Sequence, residues 1–316
     1  MALQSFNFIL FLQCLVILSV AKFHQAQILY SSTAKLPTSW TNNSTSSYDD
    51  QIILSNQKPN SSYDIGFGCG FYSDPEIGED SFYFAVGIVE AFIDFESGKQ
   101  VWSFKNTTWL ANRNRPVGKD ATLQLVEDGN LELRDRDGSL IWSTNTSSRS
   151  DIVGMKMMET GNLFLYDRDN TTVWQSFDHP TDTLIIGQKL VEGQKLVGSV
   201  SKSNMSEGNY YLSVTSEGLS AYYQADVPVE YLTLRQDFVL SYNTSSFPNV
   251  SVHIGVLPKP YVFFSSPTNY TLMSYMKLDP DGHIKLYGDN SESIDIWGGP
   301  LGECEYPTSC GEYGVC

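Results

Sequence analysis

Asparagines and cysteines are the side chains here whose types and spacing could do chemistry. Ten asparagines begin an Asn-x-Ser/Thr triplet: Asn42, Asn43, Asn60, Asn106, Asn145, Asn170, Asn204, Asn243, Asn249 and Asn269. In an exported chain each such amide can accept an N-linked glycan, and an occupied one must lie at the surface. Asn42 and Asn43 overlap, so both are not expected to be occupied. Export is read from Phe8 to Val20, an apolar run of 13 residues. The run is too short to span a bilayer comfortably and is followed by a polar stretch ending at Ala26. It predicts a signal peptide over 1–26, cleaved after Ala26 or, alternatively, after Ala21. Cys14 leaves with it. Of the remaining cysteines, Cys69 stands alone while Cys304, Cys310 and Cys316 crowd the C-terminus. In an oxidising compartment that cluster reads as the opening of a small disulfide module over 299–316.

Catalytic patterns are missing. There is no Gly-x-Ser-x-Gly elbow, no His-Glu-x-x-His and no phosphate loop with its lysine. Gly66-Phe67-Gly68-Cys69-Gly70 reads as a glycine-rich strand or bend. His179, His253 and His283 are not at metal-ligand spacing, and His179, before Pro180, belongs to a turn. Asp135 and Asp137 lie in an arginine-rich turn, where solvated charge accounts for them. The chain is therefore expected to have no enzymatic activity, metal or cofactor. A formal charge of −16 with no basic cluster argues against nucleic acid and anionic membranes as partners. No later apolar run approaches the ~20 residues of a membrane-spanning helix.

The elements that must carry the polar groups are short strands. Gly129-Asn130-Leu131-Glu132-Leu133-Arg134-Asp135-Arg136-Asp137 returns 32 residues later as Gly161-Asn162-Leu163-Phe164-Leu165-Tyr166-Asp167-Arg168-Asp169, and Trp142 maps to Trp174 at the same offset. A unit returning at fixed spacing points to a quasi-symmetric array of β units burying their apolar faces against each other. Strands are predicted at 82–89, 100–104, 108–111, 121–125, 130–133, 139–143 and 162–166, between turn residues such as Asp-Gly and Thr-Gly. Leu131 and Leu133 face the core while Glu132 and Arg134 face outward. A less regular segment, 185–298, repeats the style, and Asp281-Gly282-His283-Ile284-Lys285-Leu286-Tyr287 echoes the Gly-Asn-Leu unit. Residues 27–65, rich in Ser, Thr and Asn, read as an N-terminal arm whose ends add edge strands.

Four blocks carry a family resemblance: Trp109-Leu110-Ala111-Asn112-Arg113-Asn114-Arg115-Pro116-Val117, Asp128-Gly129-Asn130-Leu131, Ile141-Trp142-Ser143-Thr144 and Trp174 to Leu184. They resemble the bulb-type (G-type, mannose-binding) lectin module of plant S-locus glycoproteins and S-domain receptor-like kinases. The resemblance covers about 66 to 316. It implies an all-β fold of tandem bulb-lectin-like β-prism domains: a lectin domain over 66–184, a degenerate second domain over 185–298, and the start of an EGF-like module in which Cys304 pairs with Cys316.

The family's sugar-binding pattern is Gln-x-Asp-x-Asn-x-Val-x-Tyr. On the first repeat it is matched by Asp128 and Asn130, with Val126, Glu132 and Arg134 departing from it. On the second it is matched by Asn162 and Tyr166, with Met158, Thr160 and Phe164 departing. The four matching residues are the candidate carbohydrate site, and neither copy is complete. The function the resemblance implies is a secreted or cell-surface, glycosylated recognition protein for mannose-type glycans, whose avidity a homo-oligomer would raise. Two alternatives stand beside it. One is a protein-binding ectodomain whose partner is a cell-surface or apoplastic protein. The other is a fragment of a longer receptor-like serine/threonine kinase, since the chain ends inside the disulfide module.

Overall fold

Three short strands open the fold, and each heads a sheet. β1 (Thr33–Lys35), β2 (Thr38–Thr41) and β3 (Gln51–Gln57) come from the Ser/Thr/Asn-rich arm. β3 pairs with β4 (Ile65–Ser73), followed by β5 (Phe82–Ile93) and β6 (Gln100–Leu110). β2 leads β7 (Thr122–Leu125), β8 (Leu131–Arg134) and β9 (Leu140–Ser143), and β1 leads β10 (Ile152–Met157), β11 (Leu163–Asp167) and β12 (Thr172–Gln175). All pairings are antiparallel. The computed structural model describes residues 30–44, 50–57, 65–73, 80–93, 100–149, 151–235, 238–242, 250–255, 259–265, 273–288 and 293–296, with single positions at 76, 78, 302, 304, 306 and 307. The expected signal peptide, Asn60, Asn243, Asn249, Asn269, Cys310 and Cys316 lie outside them.

A second unit repeats the plan. β13 (Thr183–Ile185), β14 (Lys189–Val191) and β15 (Lys195–Ser201) again come first. β15 heads β16 (Asn204–Thr215), β17 (Gly218–Tyr223) and β18 (Val229–Arg235). β19 (Phe238–Tyr242), β20 (Val250–Gly255) and β21 (Tyr261–Ser265) then join β14, while β22 (Tyr275–Leu278), β23 (Ile284–Tyr287) and β24 (Ser293–Asp295) join β13. One sheet is reversed relative to its counterpart: β21, the last strand of its triplet, lies beside β14, whereas β7, the first of its triplet, lies beside β2.

Alternation builds both cores. Leu123, Leu125, Leu131, Leu133, Leu163 and Leu165 are fully buried, and each contributes about 1.5–3 kcal/mol relative to exposure. They join Phe67, Phe71, Phe84, Trp109, Met155 and Trp174 in a cluster drawn from all three sheets. The second cluster repeats this with Leu184, Leu212, Val252, Phe264, Leu278 and Leu286. The expected strands at 100–104 and 108–111 are one strand, β6. The polar residues Lys105, Asn106 and Thr107 between them are absorbed by two register shifts against β5.

One hairpin turn stands at the corresponding place in three of the sheets, between β7 and β8, β10 and β11, and β22 and β23. The N–H groups of Val126, Met158 and Asp279 donate to the carbonyls of Asn130, Asn162 and His283, and the N–H groups of Gly129, Gly161 and Gly282 donate back. These glycines have φ of 87°, 81° and 86°, a left-handed geometry that costs other residues about 1–2 kcal/mol.

The two units are locked by a buried guanidinium. Arg113, 6% exposed, donates Nε to the Met205 carbonyl at 2.9 Å and Nη1 to the Val197 carbonyl at 2.7 Å. Asn114 accepts the Glu207 N–H at 2.8 Å, and Met205 packs with Trp102, Phe104 and Leu110 behind β5 and β6. Nearby, buried Asp182 accepts the Thr183 hydroxyl at 2.8 Å and lies 3.5 Å from Lys277 Nζ. Burial pushes the Asp182 pKa up, but the charges of Lys277 and Arg113 and the Thr183 hydrogen bond outweigh it and hold the carboxyl below its usual range.

Two predictions follow from this packing. A Cβ on Gly161 would meet Ile185 Cδ1 at 2.5 Å and the Phe67 ring at 2.8 Å, whereas one on Gly138 meets nothing within 4 Å. In urea unfolding Gly138→Ala is expected to cost about 1–2 kcal/mol of backbone strain, and Gly161→Ala a further ~1–3 kcal/mol of overpacking. Asp182→Asn removes the carboxylate that faces buried Arg113 and half-buried Lys277 and should cost about 2–3 kcal/mol at pH 7. Folded Asp182 keeps its charge to lower pH than the unfolded chain, whose carboxyls titrate near about 4. Its contribution is therefore complete above that pH and is lost as pH falls through the folded value, so the gap between wild type and Asp182→Asn measured at pH 7 should narrow in acid.

Candidate carbohydrate-binding hairpins

The sequence-derived candidates divide between two hairpins on different sheets, Asp128 and Asn130 between β7 and β8, Asn162 and Tyr166 between β10 and β11. Asp128 is exposed, and one carboxylate oxygen accepts the Asn130 N–H at 3.0 Å. The Asn130 side chain is 6% exposed. Its Oδ1 accepts the Thr144 hydroxyl at 3.0 Å and the Thr146 N–H at 3.1 Å, and its Nδ2 donates to Glu132 at 3.0 Å. Thr144 Oγ1 in turn accepts the Leu131 N–H. The outward positions that follow are taken by an ion pair, with Arg134 Nη2 2.7 Å from the Glu132 carboxylate. The first hairpin therefore spends its amide and carboxylate internally, tying the turn to the strand end beyond Trp142.

The second hairpin makes the same circuit with different side chains. Asn162 Oδ1 accepts the Ser176 hydroxyl at 3.2 Å and the Phe177 N–H at 3.3 Å, and its Nδ2 donates to Gln175 at 2.8 Å. Ser176 Oγ accepts the Leu163 N–H at 3.1 Å, the role Thr144 has in the first copy. Tyr166 is half-buried opposite Gly154 and packs edge-on to Phe164 at 5.9 Å. A Cβ at residue 154 would sit 2.6 Å from its hydroxyl.

A third hairpin, between β22 and β23, was not among the sequence-derived candidates. Asp281 accepts the His283 N–H at 3.1 Å, as Asp128 does for Asn130. Behind it Asp279, 7% exposed, accepts Lys285 Nζ at 2.7 Å and the Tyr287 hydroxyl at 2.8–2.9 Å. Burial pushes the Tyr287 phenol up, and Asp279 pushes it further. Burial lowers the Lys285 pKa, but Asp279 and Asp281 outweigh it and raise it. The His283 ring contacts Asp295 and stacks on Tyr306 at 3.8 Å. The available signal was the Asp281-Gly282-His283 echo itself: carried two steps on, it aligns Lys285 and Tyr287 with the outward positions of the family's pattern.

The sequons separate by exposure. Asn43, Asn145, Asn170 and Asn204 are exposed and Asn106 is half-buried. Asn42 is fully buried, with Nδ2 on the Gly118 carbonyl and Oδ1 on the Ser44 N–H, so the expectation of a surface site there is corrected in favour of Asn43. Cys304 is exposed, and its expected partner lies outside the described residues. Among those residues no group of His, Cys, Asp and Glu could hold a metal ion, and no helix is long and apolar enough to cross a membrane.

The circuit around Asn130 has a measurable consequence. Asn130→Ala strands the buried Thr146 N–H, while the Thr144 hydroxyl keeps Thr146 Oγ1 at 2.8 Å, and should lower urea stability by about 1–3 kcal/mol. Arg134→Ala, which opens a half-exposed ion pair, should cost under ~1 kcal/mol.

Residues 106–204 match the D-mannose binding lectin family. EP1-like glycoprotein 2 of Arabidopsis thaliana is 37% identical over 251 residues, covering 66% of this chain and 55% of that protein. The epidermis-specific secreted glycoprotein EP1 of Daucus carota is 33% identical over 260 residues, covering 68% and 66%. A G-type lectin S-receptor-like serine/threonine-protein kinase of Arabidopsis thaliana is 29% identical over 273 residues, 79% of this chain but 28% of the kinase. The chain spans about half the length of several of the curated relatives it matches, 54% of EP1-like glycoprotein 4 for example. Among solved structures, the two-domain lectin Scilla campanulata agglutinin covers 72% of this chain and 85% of its own at 11% identity, with a TM-score of 0.20. Through this domain the chain belongs to the D-mannose binding lectin family, with EP1-like glycoproteins and G-type lectin S-receptor-like kinases as its homologues.

Proposed function

We propose that this chain is an exported, glycosylated recognition protein of the plant cell surface or apoplast, which uses the lectin scaffold to bind a protein partner. The observation that carries this reading is that Asn130 and Asn162, the amides that would serve a sugar, are each consumed by three hydrogen bonds inside their own unit. A neutral hydrogen bond contributes only about 0.5–1.5 kcal/mol net, and millimolar affinity already needs about −4 kcal/mol. A hairpin that spends its amide internally and lacks the pattern's Gln and Val falls short of that. Val227, Val229 and Val239, on or beside the neighbouring edge strands β18 and β19, are 76%, 50% and 51% exposed and give apolar contact area. The names of the relatives, secreted glycoproteins and receptor-like kinases, support export and surface recognition. Extension of the natural product into a kinase is a further part of this proposal.

Mannose-type glycan binding is the second reading, and the third hairpin favours it. There Asp281 stays exposed, and Tyr287 stands at the pattern's tyrosine position.

The deciding experiment is binding of the secreted, folded protein to multivalent mannose-rich glycans, beside Asp281→Ala and Tyr287→Phe. The expected outcome is no mannose-competed binding by any of the three. Competable binding by wild type that either substitution abolishes would overturn the protein-partner reading and place the sugar on the third hairpin.

A further inference from the structure

The first unit ends in an open aromatic cleft of about 450 Å³, lined by Trp109, Trp142, Trp174, His179, Leu140 and Asn145. Two of its three indoles are covered by the chain. The His179 ring stacks on Trp174 with centroids 5.3 Å apart and planes 14° from parallel, and the His179 carbonyl accepts Trp109 Nε1–H at 2.7 Å, leaving these tryptophans 7% and 6% exposed. Trp142 is half-buried, the least covered of the three, and beside it Leu140 is 45% exposed.

Asn145 stands at the rim, three residues beyond Trp142, as the first residue of Asn145-Thr146-Ser147. It is exposed, with φ at 55°, and its Oδ1 accepts the Ser143 hydroxyl at 3.0 Å. That bond fixes the carboxamide while leaving Nδ2 for substitution. At the corresponding offset from Trp174 the chain places Phe177, whose N–H is bound by Asn162. The sequon is thus beside the one indole of the triad that the chain leaves only half-buried.

We infer that Asn145 carries an N-linked glycan whose first N-acetylglucosamine lies in this cleft, its apolar ring face on Trp142 and Leu140. The inference rests on the export and glycosylation of the proposed function. The covalent step uses a lipid-linked oligosaccharide pyrophosphate. Asn145 Nδ2 bonds to C1 of the first sugar, the C1–O bond to the pyrophosphate breaks, the lipid pyrophosphate leaves with the electron pair, and one amide proton is lost. Oδ1 is untouched, so the Ser143 hydrogen bond that aims the side chain survives. The sugar presents C–H groups to the indole face, a contact that combines apolar burial with attraction to the negative face of the ring. The chain's own glycan then occupies the cleft and does for Trp142 what His179 does for Trp174.

The test uses the full chain secreted from a plant host held at oligomannose glycans. Glycopeptide mapping comes first, followed by acrylamide quenching of tryptophan emission and thermal unfolding. Four forms are compared: intact, trimmed to one N-acetylglucosamine per site, Asn145→Gln, and Asn170→Gln as an exposed sequon outside the cleft. The expected result is a modified Asn145, with the intact, trimmed and Asn170→Gln forms alike. Asn145→Gln should be quenched more strongly and melt about 2–4 °C lower, the shift that a contact of this size makes in a chain of this length. A bare Asn145 on protein glycosylated elsewhere overturns this inference alone. Bare sequons throughout overturn it together with the export reading. A modified Asn145 whose replacement leaves quenching and melting unchanged shows that the sugar points to solvent, and the inference fails.

Discussion

Three tryptophans hold the first unit closed. Trp109, Trp142 and Trp174 come from the end of β6, from β9 and from β12, the strand of each sheet farthest from the arm. Their rings meet pairwise at 5.6–5.9 Å, all near edge-to-face. Each contact is worth about 0.5–1.5 kcal/mol beyond the area it buries. More important is its geometry: three separate sheets are held to one another by side chains from strands far apart in sequence. The leucine layers then fill the space the indoles enclose, and the hairpin turns are held where Asn130 and Asn162 can reach the strand ends that carry Trp142 and Trp174.

The same economy engages the amides of the candidate sugar residues inside the protein. An asparagine that is buried, as Asn130 is, or half-buried, as Asn162 is, needs partners for both ends of its amide. In each copy it finds them on the residues just beyond the tryptophan, Thr144 and Thr146 in one and Ser176 and Phe177 in the other. Glu132 and Gln175 complete the circuits. The two hairpins have diverged in side chains while keeping one mechanical role, and the Glu132–Arg134 pair covers the face where an apolar residue and a tyrosine would have offered contact.

The segment from Trp174 to Leu184 joins the two halves, with work for nearly every side chain. Trp174 closes the triad, Gln175 and Ser176 serve Asn162, and His179 covers two indoles. The Thr181 carbonyl accepts the Val197 N–H, Asp182 sits among Lys277 and Arg113, and Leu184 enters the second core. Beyond it the second unit copies the plan with one reversal. β18 ends at Arg235 and β19 begins at Phe238, whereas β6 ends at Leu110 and β7 begins at Thr122. The short step joins the outer edges of neighbouring sheets, and the longer crossing reaches the strand beside the arm.

Much of this was legible in the residues. The repeat at Gly129 and Gly161, the alternation of Leu131 and Leu133 with Glu132 and Arg134, and the tryptophans at a common offset determined an all-β array of hairpins. Period-two burial and left-handed glycine turns are local properties. Local pattern did not show that the polar arm at 33–57 heads all three sheets of the first unit, because the pairing of β1 and β2 is set by partners about 80 to 120 residues away in the register. Nor did it show the reversed sheet, the burial of Asn42, or Arg113 sealed between the units. What a polar side chain does depends on what stands across from it. Sequence alone offered Asn130 and Asn162 as candidates for a sugar, and only the tertiary structure decided that they bind the protein itself, because their partners lie beyond the next strand.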